Sequence, residues 1–288
     1  MQPAHDKAPV AVIIPSFNRR ELLRRALNSV LAQTVQADEV CVVDDGSTDQ
    51  TTETLSRLYP DVRFVVQENK GVSAARNLGV KNTSARWIAF LDSDDEWLPQ
   101  KLERQLSVIE EQDAACLVHC DEIWIRNGRR VNPMNKHRKA GGDIFSQCLR
   151  LCAVSPSAAL IDRALFNELG GFDESLPACE DYDLWLRVCS QYDVHYVDEP
   201  LLRKYGGHDD QLSRKHWGMD RFRVESLAKL LDSHLLDDTP DRRSEALAEL
   251  KEKCRILVTG ARKKGNQELL AYCESLLQRF EVSDVSQA

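Results

Sequence analysis

The sequence predicts a doubly wound α/β protein, and two observations carry that prediction. Short apolar runs alternate with helical patterns through roughly the first hundred residues, which is typical of strand–helix–strand units with parallel pairing. Polar segments follow three of these runs, at residues 15–18, 44–47 and 92–95. Open α/β sheets bind ligands at the carboxyl ends of their strands. We therefore expect the three segments to form one shared cleft.

The elements of the first half follow in order. The apolar run at residues 10–14 predicts a strand stopped by Pro15. Asn18 then takes the N-cap position of a helix, with Glu21 three residues later in the capping-box position. The pattern further predicts strands at 39–43, 63–66 and 87–91, and helices at about 50–58 and from about Ser73.

The second half has a different pattern. An alternating stretch at 116–125, a basic loop at 127–139 and apolar runs near 157–161 and 194–197 are expected to finish the sheet and to shape the second-substrate side. From about Met219 the chain is helical, and Pro240 lies in a polar linker between two apolar stripes that we interpret as packing surfaces. We predict a tail at 1–8, a main domain at 9–217 and a helical extension at 218–288.

Composition excludes several classes of protein. The 288 residues are 42% hydrophobic and 29% charged, as in ordinary globular proteins, and the net charge of −8 gives no basic surface for nucleic acid. No apolar run approaches the roughly 18 residues needed to span a bilayer, and the N-terminus lacks a signal-peptide core. The nine cysteines suit buried reduced thiols, including those of the C-x₃-C segment at 116–120. We expect a cytoplasmic protein, and we leave open whether the C-terminal helices form a homodimer or contact a membrane.

The acidic segment after the fourth strand is the strongest single pointer to a site. Asp92, Asp94 and Asp95 follow a buried apolar run and repel one another unless a cation or hydrogen-bond donors absorb their charge. Alternation along a strand allows Asp92 and Asp94 to face the same ligand. Such oxygen ligands suit Mg²⁺ or Mn²⁺ shared with substrate phosphates. The alternative is a helix start in which Asp94 or Asp95 caps a helix beginning near Trp97.

Six motifs follow one another along the chain. They are Val-Ile-Ile-Pro-Ser-Phe-Asn-Arg at 12–19, Val-Val-Asp-Asp-Gly-Ser-Thr-Asp at 42–49, Asn-Lys-Gly-Val-Ser-Ala-Ala-Arg-Asn at 69–77, Leu-Asp-Ser-Asp-Asp at 91–95, Gly-Gly-Phe-Asp at 170–173 and Glu-Asp-Tyr-Asp-Leu-Trp at 180–185. In this order they resemble the motifs of the family 2 glycosyltransferases. The resemblance implies a GT-A fold and a nucleotide-sugar donor. As an ordered set the motifs are specific, although each alone is weak.

The resemblance also assigns the nucleoside side of the site. It implies that Pro15, Asn18 and Asp45 hold the nucleoside, with Asp44 as a further candidate. A carboxylate that accepts a ring N–H favours a uracil-type base, and hence a UDP-sugar. The alternative for residues 44–47 is a plain turn before a helix.

The resemblance places the diphosphate and the metal next to this. Arg76 is expected near the nucleotide, paired with a phosphate or bracing the aspartates; the alternative is a surface salt bridge. Asp94 is the expected ligand of Mn²⁺ or Mg²⁺, with Asp92 toward the ribose or a water-mediated contact. His208 matches a position that reaches the metal or the diphosphate in many relatives, although a lone histidine is more often structural.

The expected general base is Asp181, which resembles the Asp of the family's Glu-Asp pair at the start of a helix. Asp181 and its neighbours Glu180 and Asp183 are expected to raise one another's proton affinity, which helps a base work near neutral pH. The alternative is that these charges only complement the helix dipole. Attack opposite the leaving group inverts the anomeric centre of the donor sugar.

Departures from the family pattern narrow the expected function. The processive members carry Gln-x-x-Arg-Trp and membrane spans, whereas residues 211–217 have these residue types at another spacing, so we expect single sugar addition to a saccharide or lipid-linked acceptor. Trp185 and Trp217 can stack on a sugar, but core packing is favoured for Trp185. Two rival functions are a sugar-1-phosphate nucleotidyltransferase, which needs a glycine-rich loop after the first strand, and a nucleotide-sugar binding module without turnover.

Overall fold

A computed structural model describes residues 8–112, 114–207 and 218–285. Within these ranges the strands are β1 (Ala8–Ser16), β2 (Ala37–Asp44), β3 (Arg63–Val66), β4 (Trp87–Phe90), β5 (Glu96–Trp97), β6 (Leu117–Arg126), β7 (Arg129–Val131), β8 (Leu160–Asp162) and β9 (His195–Gly206). The α-helices are α1 (Arg20–Leu31), α2 (Thr51–Leu58), α3 (Val72–Lys81), α4 (Lys101–Glu111), α5 (Phe145–Arg150), α6 (Arg163–Glu168), α7 (Glu180–Cys189), α8 (Asp220–Asp232), α9 (Pro240–Lys264) and α10 (Gln267–Val285).

The strands form one mixed sheet in the order β3-β2-β1-β4-β8-β6-β9-β5, with β7 beside β6. The first four strands pair in parallel, β8 is antiparallel to both β4 and β6, and β6 and β9 are parallel. The strand order reverses between β1 and β4, which is the topological switch point where such sheets bind ligands. The predicted mostly parallel α/β sheet flanked by helices is confirmed.

Apolar side chains cover both faces of the sheet, which explains the continuous apolar runs. Alternation along β1 sends Val12 and Ile14 into one core and Ala11 and Ile13 into the other, and all four are fully buried. The second of these cores extends to the C-terminal helices. It includes the α8–α10 residues Phe222, Leu227, Leu230, Leu231, Leu250, Cys254, Leu257, Cys273, Leu276 and Phe280. The interpretation of the C-terminal stripes as packing surfaces is confirmed.

The predicted end of the first strand is wrong. Pro15 does not stop β1, which continues to Ser16. The carbonyl of Ile13 accepts from Leu91 on the β4 side, so by alternation Pro15 faces that side too, just beyond the last paired residues of β4. A proline is tolerated there because no ladder hydrogen bond is lost.

The predicted caps are wrong as well. Helix α1 has Arg19 at its N-cap, without a side-chain cap bond, because the Asn18 side chain bonds elsewhere. No helix begins near Trp97, which lies in the short strand β5, and the next helix starts at Lys101. Asp94 and Asp95 are therefore not helix caps.

The second half follows the predicted elements with longer bounds. The stretch at 116–125 forms β6, whereas the apolar run at 194–197 is only the start of the twelve-residue strand β9. Pro240 is the first residue of α9 rather than part of a linker, which suits a residue without an N–H. No described helix is long and apolar enough to cross a membrane.

Candidate active site

The loops after β1 and β2 are joined by side-chain hydrogen bonds. Asn18 adopts a left-handed φ of 52°, donates its N–H to Ser47 Oγ at 2.8 Å, and accepts from the Thr48 N–H at 2.7 Å. Asp44 accepts from the Ser47 N–H at 2.8 Å and from Thr52 Oγ1 at 2.5 Å. Asn18 thus ties the loops after β1 and β2 together, and the turn expected as the alternative for residues 44–47 is present at Asp44.

Asp45 holds the loop between β3 and α3. Its Oδ1 accepts from Gln67 Nε2 at 2.6 Å and from the Lys70 N–H at 2.8 Å, and its Oδ2 accepts from the Gly71 N–H at 2.9 Å. The side chain is almost fully buried. A carboxylate has about four lone-pair sites, so these three donors leave capacity for one more. Pro15 lies buried in β1 beside this turn, paired in register with Val43.

Arg76 forms the link between the two carboxylate groups of the cleft. It is only 3% exposed, and its Nη2 and Nη1 atoms donate to Asp92 Oδ1 at 2.6 Å and Glu180 Oε1 at 2.7 Å. The expectation that Arg76 braces the aspartates is confirmed for Asp92, and the surface salt bridge is wrong.

The pKa values of the two carboxylates bound by Arg76 shift in opposite directions. Burial works to raise the pKa of Asp92, but Arg76, Lys204 and Arg19 bring it below its ordinary value. Burial and then the neighbouring Asp181 charge raise the pKa of Glu180, against the effect of Arg76. Asp92 is thus held ionised, whereas Glu180 binds a proton more readily than an exposed glutamate does.

Asp94 and Asp95 have separate environments. Asp94 Oδ2 lies 3.2 Å from Arg19 Nη1, which connects the loop after β1 to the turn after β4. Asp95 turns inward, where it accepts from Ser157 Oγ at 2.7 Å and from the Tyr205 N–H at 2.9 Å. Burial, followed by the charges of Asp94 and Asp92, raises the pKa of Asp95 well above its ordinary value.

The first turn of α7 carries three carboxylates with different roles. Glu180 and Asp183 are buried and paired with arginines, Glu180 with Arg76 and Asp183 with Arg187 at 2.6 Å. Asp181 is partly exposed, and its Oδ1 accepts from the Tyr182 N–H at 2.8 Å. Of the three, Asp181 is the one whose side chain is not buried.

Sequence reasoning missed a second set of charged residues on β6 and β9. Lys204 donates to Ser155 Oγ at 2.8 Å. Burial works to lower its pKa, but Glu122, Asp95, Asp92 and Asp181 raise it above its ordinary value. A lone lysine in the run at 201–205 was the available signal.

Glu122 lies in the adjacent strand, and its charge acts on Lys204. It lies 3.5 Å from Lys139 Nζ and accepts from Trp124 Nε1 at 2.7 Å. Burial opposes ionisation, yet Lys139 and Lys204 bring the pKa of Glu122 down to about 2. Trp185 is fully buried, so its predicted core role is confirmed.

The carboxylates of the site differ in whether they can bind the expected divalent ion. Among the described residues, no group of three or more His, Cys, Asp or Glu side chains can hold a metal ion. Asp92 and Asp95 are bound by protein donors, and Asp94 presents one carboxylate that already holds a cation. One carboxylate fits an ion that takes its other ligands from substrate phosphates, which is the usual arrangement for Mg²⁺. His208 and Trp217 lie outside the described residues.

The fold and the site define a class of protein. The mixed sheet, with carboxylates at the carboxyl ends of β2 and β4, has the GT-A fold of the solved structures that it resembles. The family model described as "Glycosyl transferase family 2" matches residues 11–170. The chain belongs to glycosyl transferase family 2.

Curated relatives agree with this membership. An uncharacterized glycosyltransferase of Rickettsia typhi is 35% identical over 70% of this chain and 65% of its own length. The UDP-Glc:alpha-D-GlcNAc-diphosphoundecaprenol beta-1,3-glucosyltransferase WfgD of Escherichia coli is 32% identical over 66% of this chain and 73% of its own length. The putative teichuronic acid biosynthesis glycosyltransferase TuaG of Bacillus subtilis is 29% identical over 73% and 84%. Matches to five Rickettsia relatives cover only 31–65% of their lengths.

Solved structures share the fold. Staphylococcus aureus TarS in complex with UDP-GlcNAc superposes with a TM-score of 0.61 at 15% identity, covering 95% of this chain and 92% of that one. A mannosyltransferase from Pyrobaculum calidifontis in complex with GDP-Man and Mn²⁺ gives a TM-score of 0.59 at 18% identity, covering 97% and 87%.

Proposed function

We propose that this chain is an inverting glycosyltransferase that transfers one sugar from a UDP-sugar to a saccharide or lipid-linked acceptor in polysaccharide biosynthesis. The observation that carries the proposal is the division of the α7 carboxylates, because Asp181 is partly exposed while Glu180 and Asp183 are buried against arginines. A transferase needs one accessible carboxylate to take the proton of the acceptor hydroxyl.

The donor side of the proposal rests on the residues around the switch point. Asp45 has one acceptor site left for the ring N–H of a uracil, and Asp92 is held ionised for the ribose side. Pro15, Asn18 and Asp44 shape the pocket wall, and Arg76 positions Asp92. A UDP-sugar also agrees with the UDP-Glc donor in the name of WfgD and with the UDP-GlcNAc bound in the TarS complex.

The reaction assigns the proton and the leaving group to separate parts of the site. The acceptor oxygen bonds to the anomeric carbon while its proton passes to Asp181, and the bond from that carbon to the diphosphate oxygen breaks on the opposite side. Asp94, with His208 as a proposed second ligand, would hold Mn²⁺ or Mg²⁺. When bound, such an ion offsets the negative charge that builds on the departing diphosphate.

We further propose a cytoplasmic location, where thiols stay reduced, which suits the nine unpaired cysteines. The division into residues 1–8, 9–217 and 218–288 stays a prediction, as do membrane contact and dimer formation through the C-terminal helices.

Binding and turnover measurements test the proposal together. Calorimetric titration of UDP with and without Mn²⁺ is expected to show tighter binding with the ion in the wild type and an equal affinity in Asp94→Ala. A panel of nucleotide sugars is then screened by thermal shift, because a true donor stabilises the fold that it binds. Stabilisation by UDP-sugars, followed by donor hydrolysis, supports the transferase; binding without turnover under any condition contradicts it in favour of a binding module.

A further inference from the structure

The carboxylate proposed as the divalent-ion ligand already contacts a cation of the same chain. Arg19 Nη1 lies 3.2 Å from Asp94 Oδ2, and the two side chains are only 20% and 12% exposed. Water screens a pair at this depth less than it screens a surface pair, so the attraction between the two groups is not negligible. Arg19 thus contacts one of the two oxygens of the carboxylate that the ion would need.

The backbone on both sides of this contact is fixed. Arg19 follows Asn18, whose left-handed conformation is anchored to Ser47 and Thr48. Arg19 itself is the N-cap residue of α1, so its Cα position is set by two neighbouring elements. The guanidinium therefore approaches Asp94 from a defined direction rather than from a loose surface loop.

A second arginine, which lies within α1, binds Asp94 at a different atom. Arg25 Nη2 donates to the Asp94 carbonyl oxygen, and the Arg25 guanidinium carbon lies 3.8 Å from the centroid of the Tyr205 ring. This contact holds the Asp94 backbone independently of its carboxylate. Arg19 can then leave the carboxylate without displacement of the turn after β4.

A guanidinium and a divalent ion compete for such an oxygen. An Mg²⁺ ligand oxygen lies at about 2.0–2.1 Å from the ion, and a monovalent cation against the same oxygen repels it. We propose that Arg19 is a built-in competitor of the divalent cation at Asp94, so that the ion binds there only in exchange for Arg19. This inference rests on the proposed function, which makes Asp94 the metal ligand.

The competition has a consequence for the order of binding. The protein without nucleotide binds the ion weakly, because exchange leaves the Arg19 guanidinium without the Asp94 carboxylate. A diphosphate supplies ligands to the ion and negative charge to the released guanidinium at once. The ion is therefore expected to enter mainly with a nucleoside diphosphate.

The test is a Mn²⁺ titration of the nucleotide-free protein, followed by the electron paramagnetic resonance signal of free Mn²⁺. The Arg19→Gln variant is expected to bind Mn²⁺ about fivefold more tightly than the wild type, which corresponds to about 1 kcal/mol and to the upper range of a partly exposed ion pair. Arg24→Gln is the matched control, since Arg24 lies on the same helix and pairs with exposed Glu21 at 3.7 Å. Its Mn²⁺ affinity is expected to equal that of the wild type.

A double variant tests whether the gain in Mn²⁺ affinity depends on the Asp94 carboxylate. The tighter Mn²⁺ binding of Arg19→Gln is expected to vanish in Arg19→Gln/Asp94→Asn. If Arg19→Gln binds Mn²⁺ no more tightly than the wild type, or if neither binds it measurably, the inference is overturned. Arg19→Lys, with a shorter and single-headed cation, gives an intermediate affinity and serves if the glutamine variant does not fold. Because the titration contains no nucleotide, absence of sugar transfer would overturn the proposed function while leaving this comparison to stand or fall separately.

Discussion

Replacement of Arg76 by alanine is expected to destabilise the fold more than any change to a surface ion pair. The Arg76 side chain is 3% exposed and holds Asp92 and Glu180 at 2.6 and 2.7 Å. Its removal leaves two carboxylates that are far apart in the chain without their shared cation. One of them, Glu180, is itself almost fully buried.

The magnitude follows from that burial. Loss of one partner of a buried ion pair costs about 3–5 kcal/mol, because the remaining charge is left uncompensated. We expect a loss of that size from the free energy of unfolding of Arg76→Ala. Arg76→Lys is expected to recover only part of it, because a single ammonium restores the charge but not the two-armed geometry.

Urea denaturation followed by circular dichroism measures this loss. Arg86→Ala is the control, since Arg86 is 70% exposed and lies 3.4 Å from Asp162, so its removal should change stability by no more than about 0.5 kcal/mol. The Arg76→Ala deficit should also be smaller at pH 5 than at pH 8, because protonation relieves the stranded carboxylates. A deficit equal to that of Arg86→Ala, or one independent of pH, would refute the assignment of Arg76 as the charge link.

Two further predictions concern Asp45 and Glu122. Asp45→Asn puts an amide N–H₂ against one of the three donors that the carboxylate accepts from Gln67, Lys70 and Gly71, so we expect a stability loss of about 1–3 kcal/mol in urea and weaker UDP binding by calorimetry. Glu122 has a pKa of about 2 against an ordinary 4.5. Its depressed pKa stabilises the protein fully above pH 5, and this contribution is lost as pH falls toward 2, so the stability advantage of wild type over Glu122→Gln should shrink by about 2 kcal/mol between pH 6 and pH 3.

Each of these has a distinct contradicting result. An Asp45→Asn variant with unchanged UDP affinity would remove Asp45 from the nucleoside pocket, whatever its stability. A Glu122→Gln variant whose stability runs parallel to that of the wild type from pH 6 to pH 3 would show that Glu122 is not held ionised by Lys139 and Lys204.

Local pattern was sufficient for the first half of the fold. Each apolar run from β1 to β4 is a strand within about two residues of its predicted bounds. In β1, β4 and the second half of β2 this reflects burial on both faces, whereas β3 is only partly buried. The three polar segments also lie at one end of the sheet, as parallel pairing requires. Here the hydrophobic pattern and the parallel pairing agree on where the strands and the polar segments lie.

The caps could not be predicted because they depend on partners distant in sequence. The local sequence predicts Asn18 as a capping residue, but its side-chain oxygen accepts a hydrogen bond from the Thr48 N–H, 30 residues away. Asp95 reads as a cap too, yet Tyr205, 110 residues away, donates to it. Short-range patterns cannot show such competition between local and distant donors.

The charged set on β6 and β9 was missed for a similar reason. The register of β6 against β9 shifts twice around Asp121, so the position of Lys204 relative to Glu122 does not follow from simple alternation along the two strands.

The most direct test of Asp181 as the general base is the turnover of a stabilising UDP-sugar by the Asp181→Asn variant. The amide has nearly the same shape but cannot take a proton, so we expect a decrease in kcat of about 10²–10⁴ with unchanged UDP affinity. Asp193→Asn, the same change at an exposed carboxylate after α7, should behave as the wild type. Undiminished turnover by Asp181→Asn would show that Asp181 is not the general base.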